Sequence, residues 1–236
     1  MTKSTPVPTV LAFDVFGTVV DWHGSIAREV EATFPGVNGG DFASAWRAGY
    51  KPAMDRVRTG ELPWTKIDDL HRMNLDQVLS DFGLDHVDEA QRIHLNKAWH
   101  RLDGWPDASA GLTRLRQRFM LCSLSNGNLG LLANMARHAR LPWDLVLSAE
   151  VFHHYKPDPQ AYLGVCDVFD IEPAQMMMVA AHKDDLHAAA ATGCRTAFIT
   201  RPQELGAGKT VDISVEPAFD YHATDFHDLA TQLGCD

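Results

Sequence analysis

Four short stretches set polar, reactive side chains at the ends of apolar runs. The first, Asp14-Val-Phe-Gly-Thr18, follows directly on Val10-Leu-Ala-Phe13. An aspartate there projects a carboxylate from a strand end, Gly17 permits a tight turn, and the Thr18 hydroxyl can orient the carboxylate. Read alone, the same residues also suit a helix cap or a turn. The second, Ser125-Asn126-Gly127, offers a hydroxyl, an amide and backbone N–H groups as a neutral anion cradle, or simply a loop. In the third, Tyr155-Lys156-Pro157-Asp158-Pro159, two prolines stiffen a loop that presents Lys156, which alone would pass for a solvated lysine. The fourth, Ala180-Ala-His-Lys-Asp-Asp185, gathers His182, Lys183, Asp184 and Asp185 at a strand-to-helix turn. Such a cluster can position water, hold a cation or cap the helix.

The elements that must position these groups are legible as pattern. Val10-Leu-Ala-Phe13, Met120-Leu-Cys-Ser-Leu124, Met176-Met-Met-Val-Ala180 and Thr196-Ala-Phe-Ile-Thr200 read as strands buried on both faces, with Val146-Leu-Ser-Ala149 a shorter candidate. Amphipathic stretches over 107–119, 129–140 and 185–192 separate them, the last stopped by Gly193. The alternation predicts an α/β fold with a Rossmann-like parallel sheet. From about Gly24 to Leu102 only helical pattern appears. Ile26, Val30 and Phe34 are spaced four apart, and Leu70, Met73, Leu75, Val78, Leu79 and Phe82 extend an apolar stripe. An all-helical cap inserted after the first strand would cover the carboxyl edge of the sheet, where ligands bind. The expected organisation is a core of residues 1–23 and 104–236 with a helical cap of residues 24–103.

Composition narrows the classes. The 236 residues are 45% hydrophobic and carry a net charge of -10, which argues against a nucleic-acid footprint. No run of 18 apolar residues suggests a membrane span, and the first residues lack the pattern of a secretory signal. Cys122, Cys166, Cys194 and Cys235 form no C-x-x-C and are expected reduced, in a cytoplasmic protein. His153-His154 lacks further ligands at a recognised spacing, so no metal site is expected. Arg114, Arg116 and Arg118 read as a solvated helix face, and Trp22, Trp64, Trp99 and Trp105 as packing in the core or lid hinge, with at least one of them a candidate to line an apolar pocket.

In their order and spacing, the four stretches resemble the haloacid dehalogenase superfamily over essentially the whole chain. More narrowly, Ala12-Phe-Asp-Val-Phe-Gly-Thr18, Leu124-Ser-Asn-Gly127, Tyr155-Lys-Pro-Asp158 with Tyr162, and Ala45-Trp-Arg47 resemble the 2-haloacid dehalogenases. Superfamily phosphatases carry a second aspartate two residues after the nucleophile, as the acid for a leaving alkoxide. Here that residue is Phe16. Losing such an acid costs roughly 10²–10⁴ in rate where the leaving group needs a proton, but little where a halide leaves. One departure stands out: Ala180 and His182 replace the Ser and Asn common before the retained Asp185.

The resemblance implies hydrolytic dehalogenation of a short 2-haloacid (haloacetate, 2-halopropionate or fluoroacetate) to the 2-hydroxyacid, with no cofactor or metal. Asp14 would form the ester. Arg47 and Asn126 would stabilise the halide, with Ser125 and backbone donors on the substrate carboxylate and Thr18, Phe16 and Tyr162 completing the site. Lys156 would keep Asp14 ionised, and His182 or Asp185 would activate water. The expected partners are the haloacid and halide, with neither nucleic acid nor membrane; a homodimer is left open. A magnesium-dependent phosphatase and a non-catalytic binding protein on the same fold are the alternatives.

Overall fold

Val10–Phe13 (β1) lies at the centre of a six-stranded parallel sheet, and its four residues are all buried. The computed structural model describes residues 7–236. Alternate β1 residues feed two separate apolar layers: Leu11 and Phe13 point to one, Val10 and Ala12 to the other. Covering both faces is what makes the strand apolar throughout.

The chain leaves β1 through a two-residue strand, β2 (Val20–Asp21), and enters five helices: α1 (Trp22–Thr33), α2 (Gly39–Ala48), α3 (Tyr50–Arg58), α4 (Ile67–Asp81) and α5 (Glu89–Asn96). It returns through β3 (Asp103–Gly104), which pairs antiparallel with β2 and so ties both ends of the helical insertion together. Side-chain caps start the helices where chain direction changes. Asp21 accepts from Gly24 N–H, Asn38 from Asp41 N–H, and Asp88 forms a capping box with Gln91. The insertion's interior is aromatic: Phe42, Trp46 and Trp99 are fully buried.

The remaining elements are α6 (Ala108–Leu115), β4 (Met120–Ser125), α7 (Leu129–His138), β5 (Leu145–Ser148), α8 (Ala149–Phe152), α9 (Pro159–Phe169), β6 (Met176–Ala180), α10 (Lys183–Ala191), β7 (Arg195–Ile199), β8 (Tyr221–Ala223) and α11 (Phe226–Gln232). They alternate except at α8–α9 and β7–β8. The strand order is β5-β4-β1-β6-β7-β8. Helices α9 and α10 pack on one face, α6, α7 and α11 on the other.

Four differences from the sequence-based expectations have simple causes. The sheet gains β8, three residues too short to show periodicity. The pattern over 107–119 is helical only to Leu115; Phe119 is still buried, but in the turn before β4. Met73 is exposed, because at 100° per residue it lies opposite the buried side of α4, where His71 sits instead. Arg116 and Arg118 are exposed, as a solvated face would be, but Arg114 is half-buried, and Arg114 and Arg118 also donate to carbonyls of the C-terminal residues Cys235, Leu233 and Gly234.

Candidate active site

Parallel register brings the reactive stretches to one edge. Phe13 pairs with Ser123 of β4 on one side and Val179 of β6 on the other, so Asp14, Asn126 and His182 emerge side by side. Asp14 is buried, and its backbone N–H donates to Val179 O at 3.0 Å. Gly17 adopts φ +84° and turns the chain so that the Thr18 hydroxyl comes back to donate to Asp14 Oδ2 at 2.7 Å. The same hydroxyl accepts from Ala181 N–H at 2.9 Å, linking the β1 and β6 loops.

Lys156 enters from the loop before α9. Its ammonium donates to Asp14 Oδ1 at 2.9 Å and to Asp185 Oδ2 at 2.5 Å, bridging the two carboxylates. Asn126 holds this lysine from behind: its Oδ1 accepts from Lys156 N–H at 2.7 Å and its Nδ2 donates to Lys156 O at 3.2 Å. Asp185, in the first turn of α10, also accepts from Tyr162 Oη at 2.5 Å. His182, the residue before α10, places Nδ1 3.0 Å from Asp14 Oδ2 and Nε2 2.9 Å from Glu204 Oε1.

These groups floor a cavity of about 340 Å³. Helices α2 and α3 close it from above with Arg47, Tyr50 and Met54. The Arg47 guanidinium lies 3.9 Å from the centroid of the Tyr50 ring, and its buried Nη1 has no hydrogen-bond partner among the described residues. Phe16 forms the inner wall, edge-on to Tyr50 and Trp99.

Charge is sorted sharply across this floor. Burial pushes the Asp14 carboxyl up, but Lys156, His182 and Thr18 outweigh it and hold it well below the usual carboxylate range, so it is ionised. Burial disfavours a charged Lys156, yet Asp14 and Asp185 raise its pKa above the ordinary value. For Asp185 burial is the largest influence; Lys156 and Tyr162 oppose it, but with Asp14 it prevails and the carboxyl is raised. His182 loses hydration, but Asp14 and Glu204 more than compensate and push it up to about 10. In the free protein it is therefore an imidazolium between two carboxylates.

Of the residues singled out in the sequence, Asp14, Phe16, Arg47, Asn126, Lys156, His182 and Asp185 line the cavity. Thr18 and Tyr162 sit behind it, bonded to Asp14 and Asp185. Ser125 is fully buried, and its hydroxyl accepts from Gly127 N–H at 3.1 Å, shaping the loop instead of facing the cavity. Trp22, Trp64, Trp99 and Trp105 do not line it; His153 stacks on Trp64. Sequence pattern does not single out Glu204 or Tyr50. Glu204 lies in the loop after β7, a fifth loop at the same carboxyl edge, and that position is the signal that points to it. The loop is anchored by Arg201, which pairs with Asp107 at 2.8 and 2.9 Å and donates to Thr18 O at 2.8 Å.

Comparison with known proteins points to one family. A family model for haloacid dehalogenase-like hydrolases matches residues 8–193, from just before β1 to the turn after α10. The (S)-2-haloacid dehalogenase 1 of Pseudomonas sp. (strain CBS-3) is 30% identical over 207 residues, covering 81% of this chain and 86% of that protein. Among solved structures, the L-2-haloacid dehalogenase PA0810 has a TM-score of 0.92 at 46% identity, covering 97% of this chain and all of that one (100%). The defluorinating L-2-haloacid dehalogenase Rha0230 has a TM-score of 0.91 at 43% identity, covering 96% and 95%. With a family model over most of its length and a relative 30% identical over 81% of it, the chain belongs to the haloacid dehalogenase-like hydrolases.

Proposed function

We propose that this hydrolase cleaves the carbon–halogen bond of a short 2-haloacid, releasing halide and the 2-hydroxyacid. The observation that carries the reading is Phe16. An alkoxide leaving group would need a proton donor two residues after the nucleophile, and this chain puts a buried phenyl ring there, against Tyr50 and Trp99. A halide leaves without one. The 2-haloacid dehalogenases among its relatives support the same reading.

Asp14, ionised and held by three donors, attacks the halogen-bearing carbon from the side opposite the halogen and forms an ester. Arg47 lies across the cavity with its buried Nη1 unpaired among the described residues, a costly state for a buried donor that an anion relieves. It stabilises the departing halide. Water then attacks the Asp14 carbonyl carbon. Both Asp185 oxygens already accept from Lys156 and Tyr162, whereas His182 touches Asp14 directly. Once Asp14 is a neutral ester and the ring has given up its Nδ1 proton, His182 is the group that takes the water's proton, and Lys156 returns to the regenerated carboxylate. Residues 24–103 act as the lid over a core of 1–23 and 104–236, and Arg58 of α3 pairs with Asp158 at 3.0 Å across that boundary.

The donor set fits a magnesium ion poorly. All four oxygens of Asp14 and Asp185 accept from protein groups, and two of those groups are cationic. The test is halide release from fluoro-, chloro- and bromoacetate with and without chelator. Release that a chelator leaves unchanged is expected. Turnover of phosphate esters that requires magnesium, with no halide release, would overturn the reading.

A further inference from the structure

Glu204 has no part in the reaction just described, yet it is 5% exposed and faces the His182 nitrogen that points away from Asp14. Asp14 Oδ2, the two ring nitrogens and Glu204 Oε1 form one chain of contacts, with gaps of 3.0 and 2.9 Å. Trp22 Nε1 donates to the same Oε1 at 3.2 Å, fixing the carboxylate from another side. A Cβ at residue 17 would lie 2.2 Å from Oε1, so the glycine of the nucleophile loop also makes room for this side chain. Burying a carboxylate under the nucleophile, with His182 and Trp22 as its side-chain donors, is costly unless the imidazole uses it.

Resting on the dehalogenase reading above, we propose that Glu204 is a positioning residue for ester hydrolysis, fixing His182 with Nδ1 toward the reacting carbon, and that the reaction's proton consequently leaves with the halide and not with the hydroxyacid. The groups that face the ring decide this. Asp14 comes from the β1 loop with Lys156 behind it, Glu204 from the β7 loop within the field of Arg47, and Asp184 and Asp185 from the ring's own helix. In the free enzyme two carboxylates hold two ring protons. When an Asp14 oxygen bonds to the substrate carbon and the C–X electron pair leaves on the halide, Asp14 becomes a neutral ester and one of those carboxylates is gone. The Nδ1 proton then departs to solvent, while the Nε2–H stays on Glu204. In the second half-reaction the water oxygen bonds to the Asp14 carbonyl carbon. One water proton returns to Nδ1, the ester C–O bond breaks, and the other proton ends on the hydroxyl of the product. Carboxylate and imidazolium are restored, and the one proton released per turnover has left in the first step.

Glu204→Gln tests this, because it keeps an acceptor for Nε2–H and for Trp22 but removes the charge. A glutamine can also turn its amide to donate to Nε2, trapping the Nδ1–H tautomer, which cannot accept a proton. Rapid-quench measurement on chloroacetate should then show a full halide burst at nearly the normal rate, followed by turnover slowed roughly 10²-fold as the Asp14 ester accumulates. In the wild type, stopped-flow with a pH indicator near neutral pH should show proton release in step with halide and ahead of glycolate. Normal ester hydrolysis in a folded Glu204→Gln variant, or wild-type protons appearing only with glycolate, would overturn the proposal while leaving the dehalogenase reading intact. Absence of halide from the wild type would sink that reading itself.

Discussion

The Phe16 ring meets Trp99 edge-on, with centroids 5.8 Å apart and planes at 86°, so the Asp14 loop and the helical insertion share one aromatic seam. Position 16 thus does two jobs at once: it carries a side chain that cannot donate a proton and it seals the boundary between sheet and helices. Phe16→Asp should consequently fail to create a phosphatase of any strength. It puts an unpaired carboxyl in an apolar seam beside an ionised Asp14, and truncating a buried Phe alone costs roughly 3–5 kcal/mol. Thermal unfolding should fall by many degrees and halide release should not rise. A stable Phe16→Asp protein with unimpaired dehalogenation would show that the seam matters to neither packing nor chemistry.

Arg47→Ala should lower kcat on chloroacetate by one to two decades, because a charge-assisted hydrogen bond is worth roughly 1.5–3 kcal/mol. The guanidinium is packed on Tyr50 and lies close to the Trp22 and Phe16 rings, so some stability loss is also expected. Steady-state kinetics on chloroacetate and bromoacetate check it; near-normal kcat on both would place Arg47 outside the anion site.

How much of the site is legible in the sequence depends on where each contact comes from. Asp14, Lys156, His182 and Asp185 can be picked out because each sits at a strand end or in a stiffened loop, a position that sequence pattern encodes. Glu204 has only its place after a strand to mark it, because its partners Trp22 and His182 meet it through the folded loop after β7, which shows no periodicity. Spacing puts Ser125 at the right strand end, but its hydroxyl turns inward, a rotamer choice that spacing does not specify. Among the helices, periodicity counts Met73 as core and passes over His71. That histidine is buried, neither ring nitrogen has a partner among the described residues, and it is pushed down to about 3, chiefly by burial and also by Arg47, so it packs as a neutral ring. The pair β2 and β3, two residues each, is below any pattern's reach.

A pH dependence of stability follows from His182. Its folded pKa, about 10, lies above the ordinary 6.5, so its ion pairs contribute fully below pH 6.5 and that contribution is lost as pH rises toward 10. Denaturant unfolding of the wild type and His182→Gln should therefore differ most at mildly acidic pH and converge at alkaline pH. A gap that widens with pH would mean that the imidazole is neutral in the folded protein.

The covalent route through Asp14 is tested most directly by a single turnover in heavy-oxygen water, with enzyme in excess over chloroacetate. Because water attacks the Asp14 carbonyl carbon and the ester oxygen leaves with the substrate, the glycolate hydroxyl should carry no label. Mass spectrometry should find one heavy oxygen in the peptide containing Asp14, and Asp14→Asn should release no halide. Heavy oxygen in the glycolate hydroxyl with an unlabelled Asp14 peptide would mean that water attacks the substrate directly, and the ester intermediate would be refuted.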